Sequence, residues 1–416
     1  MSKRNRILIL SQFYHPEYVT ASVLIGQMAE DLAAQGFDVE VLCGRPKEYV
    51  EGAGKVPGRE THKGVHIRRA RYLQLPRKSR LGRLVNYFTF VASVLLRWPT
   101  LLGYGLLVVY TNPPLLPMVP ALLNRLFGQR FAFVCYDLYP ELAIRMGAVG
   151  RGSAIDQVMG PINRAVYGNA SAIVALGQDM KRYMATSGLA PHPERIEVIP
   201  NWYDDATDVY RPMPAAQPAV FTVVYSGNMG VCQDMETILA AARLLQGRAD
   251  IRFVFTGHGN KADSLKETAG REGLENLSFD GYLTGERFAA LLAGASCFLV
   301  SLEAGMEGLA VPSKTYSYLA AGRPVLSIMA EDADVSRILV EREAGLAFAN
   351  GDGQGLADGI AALADDYERC QRMGRNARAL FVQEYRRELC TARYGELFAR
   401  LLGQGDRKGR QSDVQG

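Results

Sequence analysis

Ser313, Lys314 and Thr315 stand on a turn between an apolar run and a short helical stretch, and that arrangement binds anions. Cys297 to Leu302 has the length and composition of a buried parallel strand. Gly305 and Gly308 follow it, Ser313 holds the position of a helix N-cap, and Gly322 stops the helix. The N–H groups of a first helical turn lack partners within the helix, and the helix dipole adds partial positive charge. Lys314 would neutralise a phosphate docked there. The same pattern also describes an ordinary strand-to-helix turn of a Rossmann-like domain. A second place for chemistry is Asp137 and Glu141, which bracket Leu138-Tyr139-Pro140 just after the apolar run Arg130 to Tyr136. Parallel sheets hold ligands at that end of a strand, with N-capping as the alternative role. Tyr14, His15 and Glu17 follow the first apolar run in the same way, His15 being equally readable as a surface histidine.

Such positions need parallel sheets behind them, and the chain supplies two alternations. Arg6 to Ser11 is a strand, Ser22 to Gln35 a helix closed by Gly36, and Val39 to Cys43 a second strand, so the start is a βαβ unit. Leu106 to Tyr110, Arg130 to Tyr136, Ser171 to Leu176 and Ile196 to Asn201 continue the set. Pro212, Pro214 and Pro218 make Asp204 to Pro218 read as a linker. The second alternation begins at Val220 to Tyr225 and runs into Ser226-Gly227-Asn228-Met229-Gly230-Val231-Cys232-Gln233. Ile251 to Thr256 then leads into Gly257-His258-Gly259, and Leu277 to Phe279 into Gly281-Tyr282-Leu283. These glycines would let the backbone approach a ligand, and Asn228 and Gln233 can offer amide N–H groups. The loop after the first strand has no glycine at all, which argues against a nicotinamide cofactor there.

A chain of 416 residues exceeds one core and suits two domains; 48% apolar and 22% charged residues describe a globular protein. Cys43, Cys135, Cys232, Cys297, Cys370 and Cys390 show no ligand spacing, so neither disulfides nor a metal site is expected. The basic start runs straight into Ile7 to Leu10, a strand-length run, and no targeting segment is expected. Residues 55–97 carry eleven Lys or Arg against the single acid Glu60. That is +10 in a chain of +4, so all the rest sums to −6. Within this segment Leu84 to Leu96 is apolar and too short to cross a bilayer as a helix, which takes ~20 residues. A basic stretch beside an apolar, aromatic helix is the pattern of an interfacial contact with anionic lipid, through Arg77, Lys78, Arg80, Arg83, Phe88, Phe90 and Trp98. A buried helix preceded by a solvated basic loop is the alternative; no nucleic-acid motif accompanies the charge.

Taken together, Gly227-Asn228-x-Gly230 with Gln233, Gly257-x-Gly259, Gly281-Tyr282-Leu283, Val311-Pro312-Ser313-Lys314 and Tyr318-Leu319-Ala320-Ala321-Gly322-Arg323-Pro324-Val325 resemble family-4 retaining glycosyltransferases. The likeness is to bacterial enzymes of capsule, O-antigen and exopolysaccharide synthesis, fucosamine transferases among them. Tyr14-His15-Pro16-Glu17, Asp137-Leu138-Tyr139-Pro140-Glu141 and Ile199-Pro200-Asn201 resemble the matching N-terminal signatures, and the likeness spans about residues 5 to 400. It implies the GT-B fold: two facing Rossmann-like α/β domains with the active site in the cleft between them. The division expected is an acceptor-binding domain over 1–205, a linker over 206–218 and a donor-binding domain over 219–385. A helix over 386–402 would return to the first domain, and a disordered tail would occupy 403–416. Two departures stand out. Asn228 and Gln233 occupy positions where many relatives carry Arg and Lys, and Ser317 stands where they carry an acid that binds ribose, with Leu309 eight residues before it.

On this resemblance Asp137, Glu307 and Lys314 carry the catalysis. Gly227, Asn228, Gln233, Gly257, Gly259, Tyr282, Leu283, Pro312, Ser313, Lys314, Thr315 and Ser317 hold the donor, and Tyr14, His15, Glu17 and Glu141 the acceptor. No cofactor or metal is implied, since the nucleotide-sugar is a substrate. The activity expected is retaining transfer of a hexose or N-acetylaminosugar from a nucleotide-sugar, UDP favoured, to a lipid-linked saccharide. The protein would sit peripherally on the anionic cytoplasmic face of the bacterial inner membrane. A nucleotide-sugar epimerase, another enzyme on the same fold, or a non-catalytic membrane-associated binding subunit remain the competing readings.

Overall fold

A computed structural model of the chain describes residues 5–17, 19–46, 56–76, 80–207 and 209–403. It divides into two compact units, one of residues 1–200 with 388–416, the other of residues 201–387.

Among the described residues the first unit holds eight strands: β1 (Arg6–Leu10), β2 (Asp38–Gly44), β3 (Arg59–His62), β4 (Val65–Ala70), β5 (Leu106–Tyr110), β6 (Phe131–Cys135), β7 (Ala172–Ala175) and β8 (Ile196–Val198). Their order across the sheet is β3-β4-β2-β1-β5-β6-β7-β8, and every neighbouring pair is parallel except β3 with β4. The central strands are buried along nearly their whole length, as continuous apolar runs must be when helices cover both faces of a sheet. Helix Thr20–Ala34 covers part of one face with Leu24, Ile25, Met28, Ala29 and Leu32. The C-terminal helix Arg387–Leu401 is tied to this unit where Arg130 Nη1 donates to the Leu401 carbonyl at 2.7 Å and Arg400 pairs with Glu197.

The basic segment is more ordered than its composition suggests. Residues 59–70 form the β3–β4 hairpin at one edge of the sheet. Three of its cations have local carboxylate partners: Arg69 bonds Glu60 at 2.5 Å, Arg68 bonds Glu40 at 2.9 Å and Lys63 bonds Glu30 at 3.2 Å. Arg68 and Arg69 therefore serve the packing of this hairpin.

The second unit has six parallel strands: β9 (Phe221–Asn228), β10 (Ile251–His258), β11 (Leu277–Asp280), β12 (Cys297–Ser301), β13 (Val325–Ile328) and β14 (Gly345–Phe348). They lie in the order β11-β10-β9-β12-β13-β14. Within the expected linker, 206–218, residues 209–218 are packed on this unit. Gln217 bonds the Ala364 carbonyl, Tyr367 and Gln371 donate to the Pro214 carbonyl, and the Tyr210 ring lies 4.6 Å beneath the Arg378 guanidinium. Carbonyls of the segment meet helix side chains. Arg323, only 1% exposed, donates to the carbonyls of Ala293 (2.5 Å), Ala295 (2.7 Å), Arg211 (2.8 Å) and Ala321 (2.9 Å). It joins that segment to the C-terminal ends of helices Gly285–Gly294 and Lys314–Ala321, where a cation also complements the helix dipoles. The stretch Ala377 to Leu402 is broken by a π-helical turn, Phe381–Tyr385, and by extended Arg386. Residues 404–416, most of the expected tail, lie outside the described residues.

Candidate functional site

A parallel sheet opens to ligands where its strand order reverses, because successive crossover helices leave that point in opposite directions. In the second unit the reversal falls between β9 and β12, and the loops leaving these two strands carry most of the expected donor residues.

Lys314 begins helix Lys314–Ala321 after β12 and reaches across to β9. Its ammonium donates to the Tyr225 hydroxyl and lies 3.7 Å from the centre of the Tyr225 ring. Gly227 makes room for it. At φ 137° a Cβ there would stand 3.2 Å from Lys314 Cε, so no other residue suits this position. Desolvation by burial brings the Lys314 ammonium down to about 7. Tyr225 in turn donates to the Asn228 carbonyl at 2.7 Å, and Tyr318 clamps the end of β9 by bonding both backbone groups of Ser226.

Several expected donor residues serve the framework instead. Gly257 and Gly259 are required by neighbouring backbone: a Cβ on Gly257 would lie 2.1 Å from the Gly227 carbonyl oxygen, and one on Gly259 2.2 Å from that of Met229. Gln233 accepts the Gly230 N–H on Oε1 at 3.0 Å, which orients its side-chain amide without using the amide N–H groups. Ser317 is 7% exposed, and its hydroxyl donates to the Lys314 carbonyl at 2.9 Å, which leaves no hydroxyl proton for a ribose. Ser313 stands at the N-cap but makes no side-chain cap, and the Thr315 N–H bonds the Pro312 carbonyl at 3.1 Å in a tight first turn. Thr315 is therefore not an open anion donor. Asn228 and Tyr282 are exposed, Leu283 is half-buried, and Tyr282 packs edge-on against His258. Glu307 is half-buried, one oxygen accepting the Ala330 N–H at 3.1 Å.

In the first unit the reversal lies between β1 and β5. Asp137 follows β6, the next strand over, and Thr111 at the end of β5 accepts the N–H groups of Tyr136 (3.2 Å) and Asp137 (3.5 Å). Desolvation raises the Asp137 carboxyl to about 6, and Glu141 is shifted upward for the same reason. Neither caps helix Glu141–Arg145, whose N-cap is Pro140 without a side-chain bond. Tyr14 (2% exposed) and Glu17 (6%) belong to the interior and not to an acceptor surface. His15 is half-buried, stacks on His62 at 4.0 Å, and gives its carbonyl to Arg69. Gln12, wholly buried at the end of β1, has no hydrogen-bond partner for either side-chain amide atom among the described residues.

Helix Arg80–Leu95 divides into two faces. Phe90 is buried edge-on against Tyr72, contrary to its expected membrane role, whereas Phe88 remains exposed. Leu81, Leu84, Leu96 and Trp98 are also exposed, and Trp98 stacks on exposed Phe127 at 5.3 Å. Arg83 is exposed; Arg77, Lys78 and the Arg80 side chain lie outside the described residues. Among the described residues no helix is long and apolar enough to cross a membrane, and no three His, Cys, Asp or Glu side chains cluster as metal ligands.

Two signals escaped the sequence. Tyr225 read only as strand, and Lys261 carried no motif; its partner Glu303 lies far away in the chain.

Comparison with known proteins fits this geometry. Residues 20–202 match the profile described as a glycosyl transferase 4-like domain, and residues 220–366 that of glycosyl transferases group 1. "Probable glycosyltransferase WbjE" of Pseudomonas aeruginosa is 30% identical over 240 residues, 56% of this chain; the match spans 59% of that relative's length. "Putative colanic acid biosynthesis glycosyl transferase WcaI" of Escherichia coli (strain K12) is 26% identical over 340 residues, 76% of this chain and 81% of that one. Sucrose-phosphate synthase from Thermosynechococcus elongatus superposes with a TM-score of 0.74 at 17% identity, covering 96% and 99% of the two chains. Anabaena Alr3699/HepE, solved in complex with UDP, gives 0.67 at 19% identity over 95% and 100%. With two parallel α/β units and both halves matched, the chain belongs to the family-4 glycosyltransferases of GT-B fold, a glycosyl transferase 4-like domain followed by a group 1 domain.

Proposed function

We propose that the protein transfers a hexose or N-acetylaminosugar, with retention, from a nucleotide-sugar to a lipid-linked saccharide in bacterial surface polysaccharide synthesis. The observation that carries this reading is Lys314, a water-poor cation at the strand-order reversal of the second unit with no carboxylate to satisfy it among the described residues. A diphosphate would supply that partner, its oxygen replacing the Tyr225 hydroxyl as acceptor. As the sugar–phosphate bond breaks, negative charge grows on the leaving phosphate, and a fixed ammonium beside it lowers the barrier. The leaving phosphate then takes the proton of the incoming hydroxyl on the same face, so retention follows without a separate base. Asp137 positions the reacting sugar or acceptor, and Glu307, fixed by Ala330, holds donor hydroxyls. No metal is needed in this scheme. A UDP-sugar is favoured because HepE is held with UDP, and polysaccharide synthesis because WcaI is named for it.

A lipid-linked acceptor gives the exposed apolar face a use. Leu81, Leu84, Phe88, Leu96 and Trp98, with Arg83 beside them, suit peripheral docking on the anionic cytoplasmic face of an inner membrane. Calorimetric titration with UDP, GDP, ADP and NAD in EDTA tests the donor site. Selective binding of UDP or GDP supports it, and absence of binding to every nucleotide refutes it. Leu84→Ser with Phe88→Ser should release the protein from phosphatidylserine-containing vesicles; undiminished binding would sink the membrane reading.

A further inference from the structure

The loop Gly227–Gln233 has no charged side chain of its own, yet a doubly negative diphosphate laid along it requires more than one cation. Lys314 stands at its beginning, beside Gly227. At its other end stands Lys261, delivered from the loop after β10. The Lys261 ammonium donates to the Gln233 carbonyl at 2.7 Å and to Glu303 Oε1 at 2.5 Å, and its backbone N–H bonds the Met229 carbonyl at 2.9 Å. Glu303, on the loop after β12, is held by its own N–H to the Cys232 carbonyl at 2.8 Å. Three loops leaving the carboxyl ends of β9, β10 and β12 therefore meet at one ion pair. Its side chains are 26% and 36% exposed, open to solvent and so to a ligand.

We propose that Lys261 is the second cation of the donor diphosphate site and that Glu303 holds it in place until the donor arrives. The inference rests on the donor-site reading above. Its logic is electrostatic. Glu303 supplies in the free protein the negative charge that the diphosphate supplies in the complex. On binding, Lys261 turns its free N–H donors to phosphate oxygen while the Gln233 carbonyl keeps it in register. Glu303 is then a like charge close to the ligand and weakens binding.

The alternative is an ion pair that only ties three loops together, and the two accounts differ in sign. In a tie, removing either partner breaks the same contact, so Lys261→Met and Glu303→Gln weaken UDP binding alike. In a phosphate cation with a place-holder, Lys261→Met weakens UDP binding about tenfold or more, the scale of one charged hydrogen bond. Glu303→Gln tightens it about threefold, and Lys261→Arg stays near the parent protein. The experiment is calorimetric titration of UDP into the full chain and these three variants, with far-UV circular dichroism confirming that each is folded. Opposite shifts for Lys261→Met and Glu303→Gln support the proposal; shifts in the same direction, or none for Lys261→Met, overturn it while leaving the donor site standing. If the parent protein binds no nucleoside diphosphate, the donor-site reading falls and this inference with it.

Discussion

Binding of UDP should draw a proton onto Lys314, and the size of the uptake follows from where the ammonium sits. The ring and hydroxyl of Tyr225 take the place of water around it, and burial sets its titration near 7. At pH 8, one unit higher, about one molecule in ten carries the charge. A diphosphate in contact stabilises the charged form and returns the group toward the ordinary lysine range, roughly 10. Uptake at pH 8 is then about 0.9 proton per UDP, and at pH 6 about 0.1 from this residue. The nucleotide contributes little at pH 8, because a terminal phosphate with a second pKa of about 6 is already ionised. Affinity falls accordingly by about tenfold, or 1.36 kcal/mol, per pH unit between about 7.5 and 9. Calorimetry at pH 8 in buffers of different ionisation enthalpy measures the uptake directly, as the slope of observed enthalpy against buffer enthalpy. Lys314→Met should abolish it. Tight UDP binding with an uptake below about 0.2 proton at pH 8 would refute a water-poor, unpaired lysine at the phosphates.

Two further expectations follow from single side chains. The Asp137 carboxyl titrates at about 6 in the folded protein against 3.8 ordinarily; its stabilising share is complete below 3.8 and is lost as pH rises through 6. Asp137→Asn should therefore raise the Tm at pH 7.5 by a few degrees, roughly 2–4 °C per kcal/mol regained. Turnover should fall about 100-fold with UDP affinity unchanged, and an unaltered kcat would remove Asp137 from the reaction. Arg323→Met removes hydrogen bonds to five main-chain carbonyls, three of them buried, and should cost about 3–5 kcal/mol. That is a Tm drop of about 10 °C for a unit of this size; a drop of under about 2 °C would show that water replaces the guanidinium.

Apolar runs carried the fold. Where a strand was almost wholly apolar, as at Leu106–Tyr110 or Cys297–Ser301, its position was legible from the sequence to within a residue. The β3–β4 hairpin was not, because Arg68 and Arg69 interrupt its apolar alternation and only the fold shows that Glu40 and Glu60 answer them. Lys314 was legible because its helix start announces it. Lys261 was hidden because its meaning depends on Glu303, 42 residues away, and no spacing rule spans two strands and two helices. The glycines were legible as close-approach positions, but what approaches them was not. Gly257 and Gly259 are required, but by the neighbouring backbone, and a sequence does not say whether the intruder is ligand or protein.

The two ends of the second unit lie side by side. Tyr203 N–H bonds the Tyr385 carbonyl at 3.2 Å, Arg387 pairs with Asp204 at 2.8 Å and Arg378 with Asp205 at 2.8 Å. Topologically, this half is a parenthesis in the chain, entered at residue 201 and left at residue 387 through a doorway closed by its own side chains. A segment bounded in this way can be lifted out or exchanged whole, since both cuts fall at one place and the lock stays with the piece removed. If the proposed division of labour holds, recombination at that doorway would exchange the donor-binding half in a single step.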